Sequence, residues 1–141
     1  MPRARGKSKL FGGVGLFADL TPAELEAIER FSHSVSADKG EVLCREGERA
    51  TDFFLIVEGE ATVEQAGKRL RRLGPGDYFG ELALLDRGPR SATVTASTPM
   101  RLGRLSELEF SAALDEVPAL SRKLLSTLAA RLREADRRTL S

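Results

Sequence analysis

Tryptophan is absent from this chain of 141 residues, and histidine, cysteine and tyrosine occur once each. Each shortage excludes something. With Cys44 alone, an intramolecular disulfide is impossible, and a reducing cytoplasm fits. Cys44 lies in an apolar stretch and reads as a small core residue rather than a reactive thiol. With His33 alone, the several imidazoles of a β-barrel metal enzyme cannot be assembled. No nucleophile stands beside a base, so the chain reads as a non-enzyme with no metal and no cofactor. No apolar run approaches the ~20 residues of a membrane helix. The basic N-terminus lacks the apolar core and cleavage pattern of a signal peptide, so neither a membrane nor a channel role is expected. Excess charge is missing too: 22 basic and 21 acidic residues leave +1, which argues against a nucleic-acid-binding surface over the whole body. Arg3, Arg5, Lys7 and Lys9 read as a solvated tail, and Arg131, Arg133, Arg137 and Arg138 as a solvated helix face.

What is present is enough for one domain with its own core. Residues 1–9 form a flexible basic tail, and 10–141 a single domain. Leu10, Phe11, Val14, Leu16 and Phe17 predict a short helical turn that packs on the body, limited by Gly12, Gly13 and Gly15. Thr21-Pro22-Ala23-Glu24 is a capping box with proline at the first helical position, opening a helix that ends near Phe31. From Val35 to Leu105 short apolar segments alternate with glycine-marked turns. Strands are expected at Glu41–Cys44, Phe53–Val57, Ala61–Gln65, Leu70–Leu73, Ala92–Ala96 and Arg101–Leu105, with a hairpin tip at Glu64–Lys68. This pattern predicts an antiparallel sandwich or barrel. Ser106-Glu107-Leu108-Glu109 is a second capping box, opening a helix to about Leu114. Pro118 opens a longer one to about Arg137, with Leu120, Leu124, Leu128, Leu132 and Ala135 along one face.

One stretch is richer than a sandwich needs. Phe79-Gly80-Glu81-Leu82-Ala83 puts a glycine before a short apolar helical turn, and Gly88-Pro89-Arg90-Ser91-Ala92-Thr93 brings an arginine up to a strand. Uncapped N–H groups at the start of such a turn attract anions, and Gly80 allows close approach to the backbone. Arg90 offers a planar fork of donors for phosphate oxygens, and Glu81 a carboxylate for a sugar hydroxyl.

These residues resemble the phosphate-binding cassette of the cyclic-nucleotide-binding domain family, found in kinase regulatory subunits, gated channels and catabolite-activator-type transcription factors. The flanks agree: Phe17–Leu25 looks like the family's leading helices, Arg45-Glu46-Gly47-Glu48 and Phe54–Gly59 like its early strands, and Gly74-Pro75-Gly76-Asp77-Tyr78 like the run into the cassette. The resemblance covers about residues 15–135. It implies a mainly β fold with flanking helices: an antiparallel β-roll (double-stranded β-helix, jelly-roll-like) with N-terminal helices and a C-terminal lid helix pair. It implies that Arg90 pairs with the cyclic phosphate, that Glu81 accepts from the ribose 2′-hydroxyl, and that the N–H groups of Leu82 and Ala83 contact ribose or phosphate. Gly80 shapes the approach, Ser91 donates to phosphate or base, and Arg131 is the candidate lid residue. Cyclic AMP is the favoured ligand and cyclic GMP the second. In the family a threonine after the cassette arginine tends to suit cyclic GMP and an alanine cyclic AMP; Ser91 is neither.

Blander readings stand beside these: an ion pair of Arg90 with Glu81 or Asp86, a solvated Glu81, an ordinary strand residue at Ser91 and a surface arginine at Arg131. The functional expectation is a regulatory domain that relays occupancy through its C-terminal helix to a second copy or a separate effector. The alternative is a nucleotide-independent β-roll that serves interaction or oligomerisation. Because Ser141 follows the expected lid helix so closely, no helix-turn-helix fits and direct DNA binding is not expected.

Overall fold

The computed structural model describes residues 20–140. The expected tail at 1–9 and the helical turn at 10–17 lie outside the described residues. Helix α1 (Pro22–Phe31) is followed by strands β1 (His33–Ala37), β2 (Val42–Cys44), β3 (Asp52–Glu58), β4 (Ala61–Gln65), β5 (Lys68–Leu73) and β6 (Tyr78–Phe79). A short helix α2 (Glu81–Asp86), strands β7 (Thr93–Ala96) and β8 (Met100–Ser106), and helices α3 (Glu107–Glu116) and α4 (Pro118–Leu140) complete the order. Two four-stranded antiparallel sheets result, ordered β1-β8-β3-β6 and β2-β7-β4-β5. Strands β1 and β6 were absent from the sequence expectation. Both are edge strands with weak apolar character: β1 is mostly exposed, and β6 is only two residues long.

Strand β3 explains how one chain supports two layers of core. Its run Phe53-Phe54-Leu55-Ile56 is buried on both faces, as a near-continuous apolar strand should be when it is covered above and below. Alternation sends Phe53 and Leu55 to a cluster with Leu25, Ile28, Leu105, Phe110, Val117, Leu120 and Leu124, between the first sheet and the helices. Phe54 and Ile56 go to the opposite face, where Ala61, Val63, Leu73, Phe79, Val94, Ala96, Met100 and Leu102 fill the space between the sheets. Phe53 stacks on Phe110 with ring centroids 4.8 Å apart, tying β3 to α3.

Both capping boxes form. Thr21 and Glu24 bond reciprocally at the start of α1, and Ser106 and Glu109 do so at the start of α3. The second oxygen of Glu109 meets His33 Nε2 at 2.6 Å, which leaves the histidine at the surface and ties β1 to α3. The Ser106 backbone bond first, and His33 second, hold the Glu109 carboxyl below its usual range. The β4–β5 hairpin turns at Ala66 and Gly67, both with positive φ (52° and 79°), the geometry a two-residue hairpin loop requires.

Helix α4 divides in two. Val117, just ahead of it, and Leu120 and Leu124 within it are buried, and Leu128 is half-buried. From Ala129 to Arg137 every residue is exposed, including Leu132 and Ala135 of the expected apolar face. The face packs on the body only along its first half. Among the described residues no helix is long and apolar enough to cross a membrane.

Replacing Phe53 by alanine removes an aromatic ring that is 2% exposed. The expected loss is about 3–5 kcal/mol of folding free energy, read as a lower midpoint in urea unfolding followed by circular dichroism.

Candidate functional site

The antiparallel register of β3 and β6 sets Phe54 opposite Phe79 and Leu55 opposite Tyr78. Continued one step, that register sets Gly80 opposite Phe53, with the Asp52 carbonyl alongside, where β6 ends and α2 begins. The guanidinium of Arg90 enters this gap. Its Nη2 donates to Asp52 O at 2.7 Å and its Nη1 to Gly80 O at 3.2 Å. The Arg90 backbone is fixed as firmly: its N–H donates to Glu48 O at 2.8 Å and its carbonyl accepts from Gly47 N–H at 2.8 Å. Arg90 is 6% exposed. A charge this deep must be hydrogen-bonded, and the two carbonyls use two of the five N–H donors of a guanidinium. Of the ion-pair partners the sequence offered for Arg90, Glu81 bonds Arg131 instead, and the described bonds to the Arg90 guanidinium come from backbone carbonyls.

Gly80 is required twice over. Its φ of +96° is left-handed, and a Cβ there would sit 2.6 Å from Arg90 Nη1 and 2.7 Å from Asp52 O. Glu81 opens α2 and is 4% exposed, so it is not the solvated acid of the bland reading. Its Oε2 meets Arg131 Nη1 of α4 at 3.3 Å, longer than the 2.7–2.9 Å typical of a strong charge-assisted bond. Arg131 is also stacked over the Tyr78 ring, 5.8 Å from its centroid, within the range where a cation gains from an aromatic face. The candidate lid residue is thus held at the site, on Glu81, although its side chain is still 42% exposed.

Glu81, Arg90 and Arg131 line one hollow with Gly80, Ser91 and Tyr78, and Val63, Leu73, Ala92 and Val94 supply an apolar wall. The hollow encloses about 510 Å³ of empty space, its open mouth included. Ser91 is exposed, and its carbonyl accepts from Gln65 Nε2 at 3.0 Å. Leu82 and Ala83 lie in the first turn of α2, whose N-cap, Gly80, brings no side-chain cap bond.

Beyond the apolar wall, Cys44, Arg71 and Tyr78 also line the hollow and were not among the expected site residues. Cys44 is half-buried, packed against the inter-sheet cluster and at the wall of the hollow. Burial first pushes its thiol above the usual range, against a smaller pull from Arg90, so it stays protonated. The Tyr78 phenol is likewise pushed up by burial and by the Glu81 charge, partly offset by Arg131 and Thr127. The only signals for these three were the strand alternation that pairs Arg71 with Leu73 and the position of Tyr78 just before the cassette. Among the described residues no group of three or more histidine, cysteine or acidic side chains is placed to hold a metal ion.

The family model described as Cyclic nucleotide-binding domain matches residues 34–117. This chain belongs to the cyclic-nucleotide-binding domain family. It is 37% identical over 115 residues to the Putative potassium channel protein RPA4233 of Rhodopseudomonas palustris, covering 79% of this chain and 28% of that protein. It is 39% identical over 112 residues to the cAMP-dependent protein kinase regulatory subunit of Mycosarcoma maydis, covering 73% and 21%. Among solved structures, the Thermus thermophilus Catabolite Activator Protein superposes with a TM-score of 0.83 at 30% identity, over 89% of this chain and 61% of that one. The chain therefore spans between a fifth and a third of these two curated relatives. The two-sheet architecture with flanking helices is the family's β-roll.

Gly80→Ala forces a strained backbone and a collision with Arg90. A loss of about 1–3 kcal/mol is expected from the backbone strain alone, measured by chemical denaturation. Tyr78 is the only tyrosine and tryptophan is absent, so phenolate absorbance reports this site cleanly. Its midpoint is expected above the usual value of about 10 and is expected to fall in Glu81→Gln. An acid whose folded pKa is raised keeps its proton longer in the folded state. Its contribution to stability is therefore full below the unfolded pKa and lost as pH climbs through the folded one.

Proposed function

We propose that this chain is a cyclic-nucleotide sensor in which Arg90 binds the cyclic phosphate and Glu81 the ribose 2′-hydroxyl. The observation that carries the reading is the buried, backbone-anchored guanidinium of Arg90, with N–H donors to spare, beside a buried carboxylate in one open hollow. The N–H groups of Leu82 and Ala83 contact ribose or phosphate, Gly80 permits the approach, and Ser91 donates from the far wall. Cyclic AMP is the favoured ligand, as the name of the kinase regulatory relative suggests, and cyclic GMP the second. No catalytic step is assigned; the domain acts in the cytoplasm by being occupied or empty. The single domain takes in residues 10–141, behind a basic tail.

The relay runs through Arg131. In the structure its guanidinium occupies the Glu81 carboxylate at 3.3 Å. A ribose hydroxyl competes for that carboxylate, so binding releases Arg131 toward the nucleotide and repositions the exposed half of α4. The ligand shifts α4 only to the extent that it prefers one arrangement over the other. The receiver of that movement is a second copy or an effector protein that covers Leu125 and Leu132, which are 67% and 64% exposed.

Isothermal titration calorimetry with cyclic AMP and cyclic GMP in separate runs tests the assignment. Saturable binding of either supports it; absence of heat and of competition at millimolar nucleotide leaves the nucleotide-independent interaction domain. Arg90→Ala is expected to weaken binding by the equivalent of about 2–5 kcal/mol, roughly 30- to several-thousand-fold. That variant also strands the Gly80 and Asp52 carbonyls, so Arg90→Lys, with its fold checked by circular dichroism, is run beside it. Unaltered affinity in both would remove Arg90 from the phosphate.

A further inference from the structure

Glu81 is 4% exposed, and the bond described for its carboxylate is the one to Arg131. A carboxylate that deep needs a partner, and while the hollow is empty Arg131 supplies it. The ion pair alone is a weak hold. It is long at 3.3 Å, and the Arg131 side chain is 42% exposed, so water competes for it.

Tyr78 supplies the rest of the hold. The Arg131 guanidinium lies over its ring, 5.8 Å from the centroid, where a cation gains from an aromatic face. The ring is itself fixed, because it packs on Phe53 at 5.8 Å between centroids and its residue pairs with Leu55 in the sheet. Burial and the Glu81 charge raise the pKa of the phenol, and Arg131 and Thr127 oppose them. Thr127 and Arg131 are one turn apart on the same face of α4, so Tyr78 meets that helix at two successive turns. Its hydroxyl is nonetheless buried without a close hydrogen-bond partner among the described residues. An orphaned buried hydroxyl is costly. The aromatic face therefore favours the closed arrangement of α4, and the hydroxyl opposes it.

We propose that Tyr78 is a positioning residue that seats Arg131 on Glu81 while the hollow is empty, so that α4 competes with the ribose and lowers the affinity for nucleotide. The proposal rests on the cyclic-nucleotide reading above. A site that is open only part of the time loses apparent affinity in proportion to its open fraction. One side chain sets that fraction from both directions.

The test is binding of cyclic AMP to the full chain in wild type, Tyr78→Leu and Tyr78→Phe, each with its fold checked by circular dichroism. Calorimetry gives the affinity, and surface plasmon resonance on the immobilised chain gives the rates. Leucine removes the aromatic face. Its affinity is expected to rise about threefold, through faster association with dissociation unchanged, since the seat exists only in the empty protein. Phenylalanine keeps the face and removes the orphaned hydroxyl. It is expected to bind about threefold more weakly, again through association. A loss of affinity in Tyr78→Leu, or a change confined to dissociation, would overturn the proposal and make Tyr78 a direct contact of the nucleotide. Equal affinity in wild type and Tyr78→Leu would overturn it as well, as would a shift of both variants in the same direction. If neither wild type nor Tyr78→Leu binds cyclic AMP or cyclic GMP, the cyclic-nucleotide reading itself falls, and this inference with it.

Discussion

A guanidinium that is 6% exposed and faces two main-chain carbonyls organises the centre of this molecule. An arginine cannot lose its proton to escape burial, so the fold has to supply acceptors, and it draws them from two separate places: Asp52 at the start of β3, and Gly80 between β6 and α2. The bonds clamp the short β6 to the sheet and fix where α2 begins. The same bonds explain why residue 80 must be glycine and why the Arg90 backbone is tied to the Gly47–Glu48 turn. Under the function proposed above, the remaining donors on a group already held from behind give the phosphate a rigid partner, and rigidity lowers the entropy lost on binding.

Around that centre β3 provides the body, and α4 packs on it only along its first half. Phe53 and Leu55 join the helices to the first sheet while Phe54 and Ile56 join the two sheets, so one strand carries both layers of core. Helix α4 is anchored at Leu120 and Leu124 and open beyond Ala129. Arg131 lies in the open half, and its contact with Glu81 ties α4 to the start of α2. At 3.3 Å that contact is long for a charge-assisted bond, although the carboxylate it meets is deeply buried.

Much of this was legible from residues alone. The capping boxes at Thr21 and Ser106, the Ala66-Gly67 turn and the strands at 61–65 and 101–105 follow from local chemistry, which a short window contains. The cassette was legible because its parts are close together in the chain: Gly80 and Glu81 adjoin, and Arg90 follows within a few residues. What stayed hidden depends on contacts distant in sequence. The bond from Arg90 to the Asp52 carbonyl spans 38 positions, and a carbonyl has no residue-type signature. Arg71 did not stand out within the expected strand Leu70–Leu73, because only the sheet's pairing shows that it shares the hollow with Val63 and Leu73. Strand β1 was missed because its burial is slight, and the expectation that Arg131 sits near the cassette needed the 50-position contact with Glu81 to take physical form.

The basic edge of the second sheet also limits how copies of this chain can meet. Two β5 strands brought side by side would set eight cations in register, with no acidic residue of either strand between them. Like charges directly opposed across a ladder repel, so continuous sheet extension across molecules is blocked at that edge.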